Sequence, residues 1–114
     1  MPFENEKREA RALLAAIEDF GSSPAQTFRL IEDADPTLVH FVFSWLRAHY
    51  PSSHPSSDGV LGRLGALCTE HPAAARKARK GAEDPLVSWF DGAHSYRALD
   101  ADAFVDLVVE KLEG

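Results

Sequence analysis

Asp35-Pro36-Thr37-Leu38-Val39-His40-Phe41-Val42-Phe43-Ser44-Trp45-Leu46-Arg47-Ala48-His49 is the stretch that decides how this chain folds. Aspartate before proline opens a helix: the carboxylate accepts from free backbone N–H groups, and proline brings no N–H of its own to the first helical position. Leu38, Val39, Phe41, Val42, Phe43, Trp45 and Leu46 then surround the helix, and only His40, Ser44 and Arg47 form a polar stripe at i, i+4 and i+7. A helix that is apolar almost all round must be covered almost all round. Residues 36–49 are therefore predicted to be the central helix of an all-α, compact orthogonal bundle.

The flanking sequence supplies six or seven short helices in all. Upstream, Ala10, Leu13, Leu14, Ile17 and Phe20 recur at helical spacing, with Gly21 as a stop. Ser23-Pro24-Ala25-Gln26 reads as a capping box that opens a short helix presenting Phe28 and Ile31. Downstream, Tyr50-Pro51 ends the central helix, and the uncharged Ser/Pro stretch 51–57 is the only linker-like segment. It is too short to divide domains, so residues 1–114 are expected to form a single helical domain.

Asp58 can cap the next helix, whose Val60, Leu61, Leu64, Leu67 and Cys68 share an apolar face. Gly59, Gly62 and Ala66 lie opposite, and they are expected to admit a close-packed neighbour. His71-Pro72 opens a basic helix over 72–80, with only Ala74, Ala75 and Ala78 to bury, which predicts light packing. Asp84-Pro85 opens a helix burying Leu86, Trp89 and Phe90. Residues 93–99 are ambiguous between loop and a further turn. Asp100 caps the last helix, where Phe104, Leu107, Val108 and Leu112 face inward despite three valines that would suit a strand. Asp35-Pro36 and Trp45 recur loosely as Asp84-Pro85 and Trp89, but the offset drifts from 49 to 44 residues, which suits shared cap and core chemistry better than duplication.

The 114 residues are 45% hydrophobic and 26% charged, enough for one ordinary core without disulfides. Cys68 stands alone, so no intrachain bridge forms and a reducing compartment is the natural setting. Residues 1–11 carry charges throughout and lack the apolar stretch of a secretory signal, and the run 36–46 is shorter than the roughly 20 residues of a membrane span. A soluble cytoplasmic protein without membrane attachment is expected. The net charge of −6 opposes general binding to nucleic acid or anionic lipid.

No sequence constellation for catalysis stands out. There is no G-x-S-x-G, no H-E-x-x-H and no phosphate-binding glycine loop, since Gly59, Gly62 and Gly65 follow G-x-x-G-x-x-G with no strand before them. Asp91 and His94 form a carboxylate–histidine pair in an aromatic segment with Trp89 and Tyr96, and a capping or exposed histidine is the plainer reading. Cys68-Thr69-Glu70-His71 is half a metal motif, with His49 and His54 as the candidates for a second pair. Cys68 on an apolar face favours an inert thiol instead, and no cofactor or resident metal is expected.

Charge segregation is more telling. Residues 71–81 carry +4 through Arg76, Lys77, Arg79 and Lys80, whereas residues 82–114 hold eight acids against Arg97 and Lys111. Asp102, Asp106 and Glu110 repeat every four residues as an acidic ridge on the last helix. Like charges at that spacing repel by a few tenths of a kcal/mol. The plainer reading of both is a solvated face or pairing between ridge and basic helix, and the functional one is that one of the two patches docks a partner. The expected function is non-enzymatic: an adaptor, regulator or inhibitor acting through another protein. Anion or nucleic-acid binding by the basic helix is the alternative, with metal binding by Cys68 and His71 third. The Ser52, Ser53, Ser56 and Ser57 stretch is a possible modification site and more simply a connector.

Overall fold

Pro36–His49 forms one unbroken helix, and most of the other elements are laid against it. The computed structural model describes residues 3–20, 23–50 and 57–114, with the side chains of Ser57 and Asp58 outside that description. Over these residues the order is α1 (Glu4–Glu18), α2 (Pro24–Asp33), α3 (Pro36–His49), α4 (Ser57–Glu70), α5 (Pro72–Gly81), α6 (Pro85–Ala93), a 3-10 turn (Tyr96–Ala98) and α7 (Ala101–Glu113). No strand occurs among them. The radius of gyration, 13.2 Å, is that of a compact bundle of this length. Gly21, the 51–56 stretch with its serines, His54 and the Asp58 cap lie outside the described residues.

The expected core is observed in part: Val87 is buried on α6 where Leu86 and Trp89 were expected, Val105 and Val109 are buried on α7 where Leu107 and Leu112 were expected, and Phe28, Leu61 and Cys68 are only half-buried. Val39, Val42, Phe43 and Leu46 of α3 are sealed from solvent, with Leu13 and Ile17 of α1, Leu67 of α4, Phe90 of α6, and Phe104, Val105 and Val108 of α7 around them. The valines of α7 are therefore helical and buried, because length and spacing outweigh their modest strand preference. Phe90 is the aromatic hub, with Phe41 at 5.4 Å, Tyr96 at 4.5 Å and Phe104 at 6.3 Å between ring centroids.

Two of the four expected caps form and two do not. Asp35 Oδ1 accepts from Thr37 N at 2.8 Å and Asp84 Oδ1 from Leu86 N at 2.9 Å, whereas Ser23 and His71 make no side-chain cap. Thr27 donates its hydroxyl to the Ser23 carbonyl at 3.1 Å, a bond within the first turn of α2 that leaves its free N–H groups uncapped. Asp100, also expected, accepts from Ala103 N at 2.8 Å. Thr37 ties two caps together, since its hydroxyl donates to Asp84 Oδ2 at 2.8 Å and so joins the starts of α3 and α6.

The packing of α5 differs from expectation. Alanine was expected to pack lightly, but small side chains let two helix axes approach closely, and α5 makes the most extensive contact that α3 has. Ala74, Ala78 and Gly81 form the buried seam. At Gly81 a β-carbon would lie on the Pro36 carbonyl and 2.8 Å from Thr37 N. The glycines of α4 behave in the opposite way: Gly62 and Gly65 have open space where a β-carbon would be, and Gly59 has only the Arg63 guanidinium nearby. They mark a solvent face, not a close-packed neighbour.

Gly81→Ala should therefore destabilise the protein by about 2 kcal/mol through overpacking of backbone against backbone, read as a lower urea midpoint. Gly62→Ala should stabilise it by about 0.5–1 kcal/mol through helix propensity alone.

Candidate functional site

Four regions hold the chemistry-bearing side chains: the α1–α7 seam, the outer face of α5, the polar stripe of α3, and a groove where α1, α2, α3 and α7 meet.

The seam accounts for the acidic ridge. Lys7 on α1 is buried, and its ammonium lies 3.6 Å from Asp106 and 3.3 Å from Glu110, while Arg11 pairs with Asp102 at 3.6 Å. The i, i+4 repeat of acids thus matches the i, i+4 pair of cations on the neighbouring helix. Pairing of the ridge with the basic helix, the sequence-based alternative to docking, is not what forms. Asp106 and Glu110 are half-exposed, so the pair keeps water on its carboxylate side while the ammonium does not.

On α5, the four cations divide. Lys77 reaches across to α2 and donates to the carbonyls of Ile31 at 2.8 Å and Glu32 at 2.7 Å in its last turn, the Ile31 carbonyl accepting from Ala34 N as well. Arg76, Arg79 and Lys80 are exposed, and none of them enters an ion pair among the described residues. The basic patch is three residues wide, with Lys77 serving the fold.

On the polar stripe of α3, His40 and Ser44 are half-buried and Arg47 is exposed. Ser44 Oγ lies 3.4 Å from His40 Nε2, and the Asp91 carboxylate of α6 acts electrostatically on His40. Burial nonetheless lowers the His40 pKa; Asp91 and the Ala78 carbonyl raise it and Arg47 lowers it, and the net direction is down. Above the same stripe, burial and then Asp91 push the Tyr96 phenol up to about 12, with Ser44 opposing. The Tyr96 hydroxyl is fully covered and makes no hydrogen bond of good geometry, with the Ser44 hydroxyl as the neighbour that favours its charged form. Serine, histidine and aspartate thus gather here, but the approach to Ser44 is roofed by Tyr96. The arrangement fastens the turn to α3. So do His49 Nε2, 2.7 Å from the Tyr96 carbonyl, and Trp45, which donates from Nε1 to the Leu99 carbonyl at 3.1 Å.

The sequence-based pairing of Asp91 with His94 does not form this cluster. His94 is exposed, and its ring packs edge-on to Trp89 at 5.2 Å. His40 takes its place, and the signal was present as a histidine inside an otherwise apolar helix.

The half metal motif does not converge with other ligands. Cys68 has its thiol pushed up by burial, against the pull of Arg47 and Arg79. His71 stacks on Phe28 at 4.6 Å and faces Glu32 at 3.8 Å. His49 is occupied with Trp45 and Tyr96. Among the described residues no three His, Cys, Asp or Glu side chains gather where an ion could sit, and no helix is long and apolar enough to cross a membrane.

The groove was not anticipated. It encloses about 380 Å³ over a floor of Leu13, Leu30, Leu38, Val109 and Leu112, and its rim carries Glu6, Glu9, Asp33, Asp35 and Glu113. Leu30, Leu38 and Leu112 remain partly exposed although they pack on the core. Its residues come from three separate stretches, 6–13, 30–38 and 109–113, so no single stretch of sequence carries its signature. No family model, curated protein or solved structure matches the chain.

Two measurements check these assignments. Asp106→Asn with Glu110→Gln leaves the Lys7 ammonium buried and unpaired, and should cost roughly 1.5–3 kcal/mol in chemical denaturation, whereas Asp102→Asn at an exposed pair should cost under about 0.5 kcal/mol. For His40, a pKa lowered on folding means the neutral ring is favoured in the native state. That contribution is fully present above the ordinary value of 6.5 and is lost as pH falls through the lowered one. Stability should therefore fall more steeply from about pH 7.5 to about pH 5 in the wild type than in His40→Gln.

Proposed function

We propose that this chain acts by binding another protein, as an adaptor, regulator or inhibitor, and that the groove between α1, α2, α3 and α7 is the contact. The observation that carries this reading is the partly exposed leucine floor: Leu30, Leu38 and Leu112, one from each of α2, α3 and α7, converge on one open concavity. A core that closes over Phe90 and Phe104 has ample apolar surface of its own, and leucines left wet in a shared hollow are an interaction feature. The acidic ridge is a weaker contact because its carboxylates already serve Lys7 and Arg11. A cytoplasmic setting belongs to the same proposal, motivated by the free Cys68 thiol.

A second reading has its own support. Arg76, Arg79 and Lys80 project from one face of α5 outside any ion pair among the described residues, a layout suited to phosphate groups. Three neutralised phosphates give a salt slope of about −2.7.

Native-lysate capture with and without nuclease separates the two, using wild type, Leu38→Ser with Leu112→Ser, and a variant with Arg76, Arg79 and Lys80 all alanine. The expected result is a nuclease-resistant protein partner that is lost from the leucine variant and kept by the alanine variant. Nuclease-sensitive recovery lost from the alanine variant would replace this reading with the second one, and a partner kept by both variants would remove both sites.

A further inference from the structure

Resting on the proposal that the groove docks a protein, we infer that its occupant is a cationic amphipathic helix. The rim is of one sign: every charged residue lining the groove is a carboxylate, with no lysine or arginine among them. The backbone adds to this field. Asp33 and Glu113 occupy the last turns of α2 and α7, where the helix dipole is already negative and a carboxylate is locally unfavourable. Lys7 lies buried in the α1–α7 seam, and Arg29 lines an adjoining hollow that shares Leu30 and Asp33 with the groove without lining the groove itself. Intramolecular pairing neutralises the ridge of α7 but leaves the groove bare.

The floor specifies the rest. Three leucines from three elements make a broad apolar bed, and its walls are helices apart from the Ala34-Asp35 link, so among the described residues there is no strand edge to pair with an extended backbone. A helical partner satisfies its own backbone, lays apolar residues at i, i+4 and i+7 on the leucines, and directs lysines or arginines from its flanks to Glu9, Asp33 and Glu113. Such a flank would complement the negative potential, while an acidic helix would meet like charge on all sides.

The test uses the full chain, labelled for amide NMR, and three peptides of about 18 residues, or five helical turns. All share leucines at helical spacing, and the remaining positions are lysine, glutamine or glutamate. The lysine peptide is expected to bind saturably and to shift amides of the groove segments in α1, α2, α3 and α7. Glu9→Lys with Glu113→Lys should weaken it about tenfold, and Glu70→Lys with Glu83→Lys, the same charge change on exposed sites elsewhere, less than about threefold. Equal losses in the two variants would reduce the binding to net-charge attraction and overturn the inference, as would a glutamate peptide that binds as tightly or a lysine peptide that does not saturate. A glutamine peptide binding the groove as well as the lysine one would also overturn it while leaving the groove as a protein-docking site. Failure of all three peptides, combined with native capture unaffected by the leucine substitutions, would take the proposed function down as well.

Discussion

Everything in this fold follows from the need to cover α3. A helix with apolar side chains on nearly every face cannot sit at a surface, and five other helices plus a 3-10 turn are enlisted to enclose it. The tightest part of that cover is made by the smallest residues. Ala74, Ala78 and Gly81 bring α5 so near that the backbone of Pro36 and Thr37 occupies the space a side chain would need. Dispersion between two closely spaced backbones replaces the interlocking of large side chains used on the Phe90 side.

Charge is organised in the same economical way. The chain is acidic overall, yet its carboxylates have separate tasks. Asp35, Asp84 and Asp100 cap helices. Asp102, Asp106 and Glu110 hold α7 to α1 through Lys7 and Arg11. Glu9, Asp33 and Glu113 ring the groove. Lys77 shows that a cation can be used similarly, on two carbonyls in the last turn of α2. Net charge alone therefore says little about which surface a partner would meet.

The sequence revealed what local chemistry encodes. Asp-Pro caps, the all-round apolar α3 and the spacing of α7 were each readable because residues near in the chain act on each other. Three features were not readable, and each depends on residues far apart. Alanines on α5 look like weak packing until the opposing backbone is known. Four cations in a row look equivalent until one of them finds α2. The carboxylate partner of His40 is Asp91, more than a dozen turns of helix away in sequence, while the neighbour His94 points elsewhere. The groove is the extreme case, since α1, α2, α3 and α7 each contribute only one to three side chains of ordinary character.

That distribution bears on the order of events during synthesis. Glu6 and Glu9 leave the ribosome long before Val109, Leu112 and Glu113, so the hollow they line together does not exist for most of the nascent chain's life. Lys7 meanwhile waits for Asp106 and Glu110 across a sequence separation of about a hundred residues. On the proposed docking, a helix that recognises this groove would find one wall of it missing until α7 has docked, so engagement would follow the closing step of folding.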